Sequence, residues 1–203
     1  MVSPEPAPSP RITSILVIAL FLGSWLFLEF LLVGVLAVAL VPLFVGGFFL
    51  WWFTTRRTPI DPHRVIIPYL LTVIAFIAHV AEEYVAYIRG YHHILEGSPF
   101  TLTLELLLLF AATLAPILWL FSAIMFLKRW PAGYFAVSAF LFGMMFIEPS
   151  HYIAPFIQGG GPHYVGGLWT AVAPIGMGWY TFLRIRREVK RARERSPFDT
   201  GST

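Results

Sequence analysis

The chain has 203 residues, of which 58% are hydrophobic and only 12% are charged, and its mean hydropathy is +0.74. These values exclude an ordinary soluble domain and indicate an integral membrane protein. The formal net charge is +3, but most basic residues border apolar segments, which argues against a phosphate-binding face for nucleic acid. Cysteine is absent, so disulfides, thiolate metal sites and thiol nucleophiles are excluded.

Six apolar segments follow one another along the chain. Residues 13–54 hold a single charge, Glu29, and at about 1.5 Å per residue they are roughly twice as long as a ~30 Å hydrocarbon core, which predicts crossings at 12–31 and 34–54. One long tilted helix with a re-entrant end is the alternative. Breaks that carry proline, glycine or charge separate four further predicted spans, at 65–88, 101–127, 131–155 and 164–185.

The predicted fold is an all-α membrane bundle of about six transmembrane helices. Residues 1–11 are expected to be a disordered cytoplasmic terminus without a signal-peptide cleavage site, and 12–54 to form the first two helices. The last four helices, within 63–187, are expected to enclose a polar-lined lipid cavity, before a basic tail at 188–203. Thirteen of the 14 lysines and arginines lie on the side of the termini, which predicts that both termini are cytoplasmic.

Ionisable side chains inside the predicted spans are the main functional signal. Because such groups are costly to place in hydrocarbon, several of them on separate helices are expected to meet in one polar pocket. In the predicted topology all of them fall in the non-cytoplasmic third of the bilayer: Glu29, His79, Glu82, Glu83, Glu105, Glu148 and His151. Nearby loop residues either line an entrance or form ordinary solvated surface: His92, His93, Glu96 and His163.

A pocket of this composition favours acid–base chemistry. A low dielectric disfavours charge, so some of these glutamates are expected to be neutral acids while a neighbour stays ionised. The spans contain no lysine for a retinal Schiff base, and the chain lacks the Gly-x-Ser-x-Gly and His-Glu-x-x-His signatures of common hydrolases. The alternative is a purely structural role, in which these groups form hydrogen bonds that hold the helices together.

The same glutamates and histidines would also suit a di-metal site. Two helices each supply a carboxylate and two others each supply a His/Glu pair, as in di-iron carboxylate bundles, although the order on the third span is inverted. The di-metal set would be Glu29, His79, Glu82, Glu105, Glu148 and His151.

The chain from Phe76 onward carries several short motifs of a known family. These are Phe76-Ile77-Ala78-His79-Val80-Ala81-Glu82-Glu83-Tyr84, then Phe100-Thr101-Leu102-Thr103-Leu104-Glu105, then Ala115-Pro116-Ile117-Leu118-Trp119, with Glu148 and Trp179 later. Together they resemble the emopamil-binding protein family, the sterol isomerases of the EXPERA superfamily. The Glu82-Glu83 doublet also resembles bacterial membrane proteins named for a His-x-x-Glu-Glu motif, a resemblance that implies no activity.

The isomerase resemblance implies an enzyme that shifts a double bond in a sterol-like or isoprenoid lipid. An acid protonates the alkene, carboxylates and aromatic faces hold the carbocation, and a base removes a different proton. The catalytic groups implied are His79, Glu82, Glu83, Glu105 and Glu148, with His79 and Glu83 as donors and Glu105 and Glu148 stabilising the cation or accepting the proton. Substrate contacts are assigned to Glu29, His151, Tyr152 and Trp179.

This reaction needs no cofactor. The expected partners are the membrane, a hydrophobic lipid substrate and a second copy of the chain in a homodimer, and no nucleic acid. The asparagine that precedes the tryptophan in the family would fall on Gly176, which leaves the substrate open. Two alternatives to the isomerase stay open: termination of a cation-driven polyprenyl cyclisation, and a non-enzymatic lipid-binding or transport protein.

Overall fold

The computed structural model describes residues 41–90, 101–157 and 164–195, and within these ranges every side chain except those of 101–107, 154 and 157. All regular elements in these ranges are helical. They are α1 (Val41–Phe53), a 3₁₀ turn (Pro62–Arg64), α2 (Ile66–Ile88), α3 (Thr101–Leu127), α4 (Pro131–Phe142), a π-helical segment (Gly143–Ile147), α5 (Ser150–Ile157) and α6 (Val172–Glu194).

Three helices in the described ranges are long and apolar enough to cross a membrane. They are Ile66–Ile88, Leu108–Leu127 and Pro131–Ile153, which correspond to the predicted spans at 65–88, 101–127 and 131–155. The prediction of an all-α fold with membrane-spanning helices is therefore confirmed for the described residues. The span at 12–31 and the first part of the span at 34–54 lie outside the described residues, so the count of six stays a prediction.

The last predicted span differs from the structure. Residues 166–171 form turns rather than the first part of a helix over 164–185, and α6 begins only at Val172. Gly167 has a φ of +85°, a left-handed conformation that ends helical geometry. At its other end α6 runs on to Glu194, because the lysines, arginines and glutamates beyond residue 188 are good helix formers.

The helices pack as a layered bundle. The central α4 packs against α1 and α3, whereas α2 packs against α3 and α6, and the π-helical segment packs against α6. A Cβ added to Gly47 of α1 would collide with the backbone of Ala139 in α4, so this glycine permits the close approach that membrane helices favour. Between α2 and α3, the Tyr69 hydroxyl donates a 3.0 Å hydrogen bond to the carbonyl of Trp119.

A group of ion pairs lies at the end of the bundle where α2 begins. The Glu188 carboxylate of α6, whose side chain is only 7% exposed, lies 3.3 Å from Arg64 Nη1 and 2.6 Å from Arg191 Nη1. Arg64 is the last residue of the 3₁₀ turn before α2, so this contact joins the chain at the start of α2 to α6. Glu83 lies near the opposite end of α2, about 28 Å away at about 1.5 Å per residue.

Glu188→Gln is expected to lower the free energy of unfolding by about 2 kcal/mol, because it removes a buried charge that holds two arginines. The expected loss is below that of a fully buried pair, since Arg64 and Arg191 reach solvent. Thermal unfolding in detergent checks this value. Glu194→Gln is the control, because its 3.8 Å contact to Lys190 is exposed and should contribute little. Equal midpoints for the two variants would contradict the prediction.

Candidate metal centre

Two ligand-type side chains come from one face of α2. His79 and Glu83 are four residues apart, so helical geometry places them one above the other. The His79 side chain is 1% exposed and that of Glu83 is 11% exposed. The distance between His79 Nε2 and Glu83 Oε2 is 3.9 Å.

Two more ligand-type side chains, those of Glu148 and His151, come directly after the π-helical segment. The amide of Glu148 donates a 3.1 Å hydrogen bond to the carbonyl of Gly143, five residues earlier, as in a π-helix. This widened turn changes the angle at which the next residues leave α4. Glu148 and His151, three residues apart, therefore both face α2.

The four side chains lie next to one another, and we call His79, Glu83, Glu148 and His151 the cluster. Oε2 of Glu148 lies 2.8 Å from Nε2 of His79 and 3.5 Å from Nε2 of His151. Oε1 of Glu83 lies 3.4 Å from Nε2 of His151. The two imidazole rings pack edge to face, with their centroids 4.7 Å apart.

A turn at residues 164–171, which we call the capping turn, closes one side of the cluster. A Cβ added to Gly167 would lie 2.6 Å from Cε1 of His79, 2.7 Å from Cγ of Glu83 and 3.2 Å from Cε1 of His151. The backbone of Gly167 thus lies directly against the cluster, and no larger residue fits there without displacing a ligand-type side chain.

The capping turn also fixes which nitrogen of each imidazole carries the proton. Nδ1 of His151 lies 3.1 Å from the carbonyl of Gly166, which can only accept, so Nδ1 carries the hydrogen. Nδ1 of His79 lies 3.2 Å from Oγ1 of Thr170, and that hydroxyl donates its hydrogen to Glu82. The hydroxyl therefore accepts from His79, so in both neutral rings the Nε2 lone pair faces the carboxylates.

Two lone pairs and two carboxylates that face one another repel, and either a bound cation or an added proton on an imidazole relieves this repulsion. Although His79 Nε2 is buried and lies close to Glu148, it has no hydrogen bond of acceptable geometry among the described residues. Ligand atoms about 2.1 Å from a tetrahedral ion are about 3.4 Å apart, and two of the separations, 3.4 and 3.5 Å, match that value. The 2.8 Å contact is shorter and the 3.9 Å contact longer, so a bound ion would require the side chains to move by a few tenths of an ångström. His79, Glu148 and His151 each offer a ligand atom within 4.8 Å of the others, and Glu83 lies beside this set of three without belonging to it.

Neither the protein-family models, nor the curated proteins, nor the solved structures gave a match to this chain. The resemblance to the sterol isomerases therefore stays a prediction.

The structure brings together four of the seven ionisable residues singled out in the sequence. Glu82 lies next to Glu83 but points away from the cluster: its carboxylate accepts hydrogen bonds from Tyr164 and Thr170. The di-metal hypothesis counted Glu82 as a ligand and omitted Glu83, whereas Glu83 is the one that lies beside the two imidazoles. Glu29 lies outside the described residues, as do His92, His93, Glu96 and His163, and the side chain of Glu105 is also outside them.

The two predicted aromatic contacts lie at the surface of the described structure. Trp179 is 40% exposed, and its ring packs against those of Phe146 and Phe182. Tyr152 is 39% exposed, directly after the buried His151. Neither ring contact of Trp179 is with the cluster, so a direct role for it beside these four groups gains no support.

Sequence reasoning missed the capping turn and the π-helical segment. Thr170, Gly166 and Gly167 were not singled out, although two adjacent glycines before a helix are a turn signal that could have been used. The π-helical segment reads Gly-Met-Met-Phe-Ile and has no comparable signal.

Proposed function

We propose that the protein is a membrane metalloenzyme that binds one divalent transition-metal ion at His79, Glu83, Glu148 and His151 and acts on a lipid-dissolved substrate. The observation that carries the proposal is that His79, Glu148 and His151 offer ligand atoms within 4.8 Å of one another, with Glu83 beside both imidazoles. Both Nδ1 atoms are already engaged by the capping turn. Metal-binding histidines characteristically have their second nitrogen held in this way.

The ligand set favours zinc or iron(II). Two imidazoles and two carboxylates suit first-row divalent ions, and cysteine, the ligand of softer sites, is absent from the chain. Charge favours the same class, because a divalent ion neutralises the two carboxylates of the cluster. A neutral complex is much cheaper to bury in hydrocarbon than two negative charges.

The carboxylate side of the cluster gives the substrate an approach. The side chains of Glu83 and Glu148 are 11% and 12% exposed, compared with 1% and 5% for the two histidines. Glu83 and Glu148 would hold the ion on this side. A metal ion bound there would polarise a substrate oxygen or activate a water, and one of the two carboxylates would serve as the base.

The proposed setting is the six-span topology with both termini in the cytoplasm. The cluster and the ion pairs of Glu188 lie toward opposite ends of the bundle, which supports a position of the cluster in the non-cytoplasmic part of the bilayer. A substrate would then reach the carboxylates from the lipid phase or from the outer interface.

A second candidate is the metal-free isomerase that the family resemblance implies. The 2.8 Å contact between His79 and Glu148 favours it, because such a pair can share a proton. In this reaction a proton is added to one alkene carbon and removed from another, so the product is an isomer of the substrate. A lipid-binding protein with the same cluster but no turnover is the non-enzymatic form of this proposal.

Metal content distinguishes the two candidates. Elemental mass spectrometry of detergent-purified protein is expected to find about one zinc or iron ion per chain, and His79→Ala is expected to lose it. His63→Ala is the control, because this exposed histidine lies in the 3₁₀ turn before α2. Metal-free protein that still isomerises a sterol or isoprenoid lipid would overturn the metal proposal in favour of the isomerase.

A further inference from the structure

Glu82 is the acidic residue of α2 that the cluster does not use, and its surroundings are specific. Its Oε1 accepts a 2.6 Å hydrogen bond from the Tyr164 hydroxyl. Its Oε2 accepts from the Thr170 amide at 3.0 Å and from the Thr170 hydroxyl at 2.5 Å. Tyr164 and Thr170 lie near the two ends of the capping turn, so one carboxylate ties both ends to α2.

The hydrogen bond from Thr170 has a consequence for His79. A threonine hydroxyl has a single hydrogen, and here that hydrogen is directed to Glu82. Only the lone pairs of the oxygen remain for Nδ1 of His79, which lies 3.2 Å away. Glu82 thus acts through Thr170 on a ring that it does not itself contact.

We infer that Glu82 and Thr170 are positioning residues that hold His79 in the tautomer with a hydrogen on Nδ1 and a lone pair on Nε2. The inference rests on the proposed function for its consequence, metal affinity, although the tautomer itself can be measured without metal. Glu82 also holds the capping turn, whose Gly166 carbonyl fixes the tautomer of His151. One carboxylate outside the cluster therefore sets the orientation of both imidazoles inside it.

The decisive variant is Thr170→Val, which keeps the shape of the side chain and the amide that donates to Glu82 but removes the hydroxyl. Zinc affinity, measured by competition with a chromophoric chelator, is expected to fall about 10- to 100-fold, as is typical when a partner of a ligating histidine is removed. The visible absorption spectrum of the cobalt(II)-loaded protein is expected to change as well. Thr170→Ser, which restores the hydroxyl, is expected to recover both properties.

A merely structural role for Thr170 makes a different prediction. In that case zinc affinity would fall only as far as the thermal stability of the metal-free protein falls, and the cobalt spectrum of the remaining complex would match that of the wild type. Either this result or unchanged affinity in Thr170→Val would overturn the inference.

Failure of the metal proposal is recognised separately by nitrogen-15 NMR of histidine-labelled protein, with the His79 signals assigned from His79→Ala. If the wild type binds no zinc but His79 carries its hydrogen on Nδ1 and loses this preference in Thr170→Val, the proposed function fails and the positioning role stands. A wild-type His79 with its hydrogen on Nε2 would overturn the positioning role directly.

Discussion

Gly167→Ala is expected to abolish metal binding and to destabilise the fold. The added methyl group would lie 2.6 Å from His79 and 2.7 Å from Glu83, well inside van der Waals contact. The backbone cannot relieve this contact easily, because Gly167 has a φ of +85°, where alanine is itself disfavoured by about 1–2 kcal/mol. The variant must therefore displace a ligand side chain, the capping turn or both.

Gly90→Ala separates the steric effect of the methyl group from the backbone cost of a positive φ. Gly90 also has a positive φ, of +74°, but a Cβ there would meet no atom of the described residues within 4 Å. It should show the backbone cost alone, as a small fall in thermal midpoint with full metal content. Elemental analysis and thermal unfolding of both variants check the prediction. Full metal occupancy in Gly167→Ala would show that the capping turn does not press on the cluster.

Deletion of Phe146 is expected to remove metal binding while leaving the helix content nearly unchanged. The π-helical segment has one residue more than an α-helical path would need, so removing one allows an uninterrupted α-helix. One residue corresponds to about 100° of helical rotation, so Glu148 and His151 would no longer face α2 while α4 keeps its packing. The contact between Glu148 and His79 would then be lost.

Phe146→Ala is the matched control for this deletion. The Phe146 ring is 54% exposed and packs against Phe142 and Trp179, so its removal changes the surface and leaves the chain length intact. Circular dichroism should show similar helix content in both variants, and elemental analysis should find metal only in the substitution. Metal retained in the deletion would mean that the widened turn is not what directs Glu148 to the cluster.

The two pairs that make up the cluster are predictable from residue spacing. His79 and Glu83 are four residues apart on an apolar helix, and Glu148 and His151 are three apart, so each pair shares a face. The cost of ionisable groups in hydrocarbon then predicts that both faces meet. The α-helical period and the apolar hydrocarbon around the helices are enough to predict this grouping.

Other features of the site and of the fold depend on tertiary contacts that residue spacing does not encode. Glu82 and Glu83 are adjacent and chemically identical, and only the position of Thr170, 88 residues later, separates their roles. The start of α6 depended on a left-handed glycine, and the direction of Glu148 depended on a π-helical hydrogen bond. Trp179 was assigned from family resemblance alone, and its ring contacts lie elsewhere.

The distance along the chain between α2 and the capping turn affects how the protein is made. At about 5–20 residues per second, a ribosome needs roughly 4–18 s to synthesise the 88 residues between Glu82 and Thr170. During that time α2 must enter the membrane with His79, Glu82 and Glu83 still lacking the partners that later surround them. Each charged group at the centre of a helix costs about 2.5–3.5 kcal/mol during insertion, which the apolar residues of α2 have to offset. The hydrogen bonds from Tyr164 and Thr170 to Glu82 can form only after the chain has been made through residue 170, so this part of the structure is completed late in synthesis.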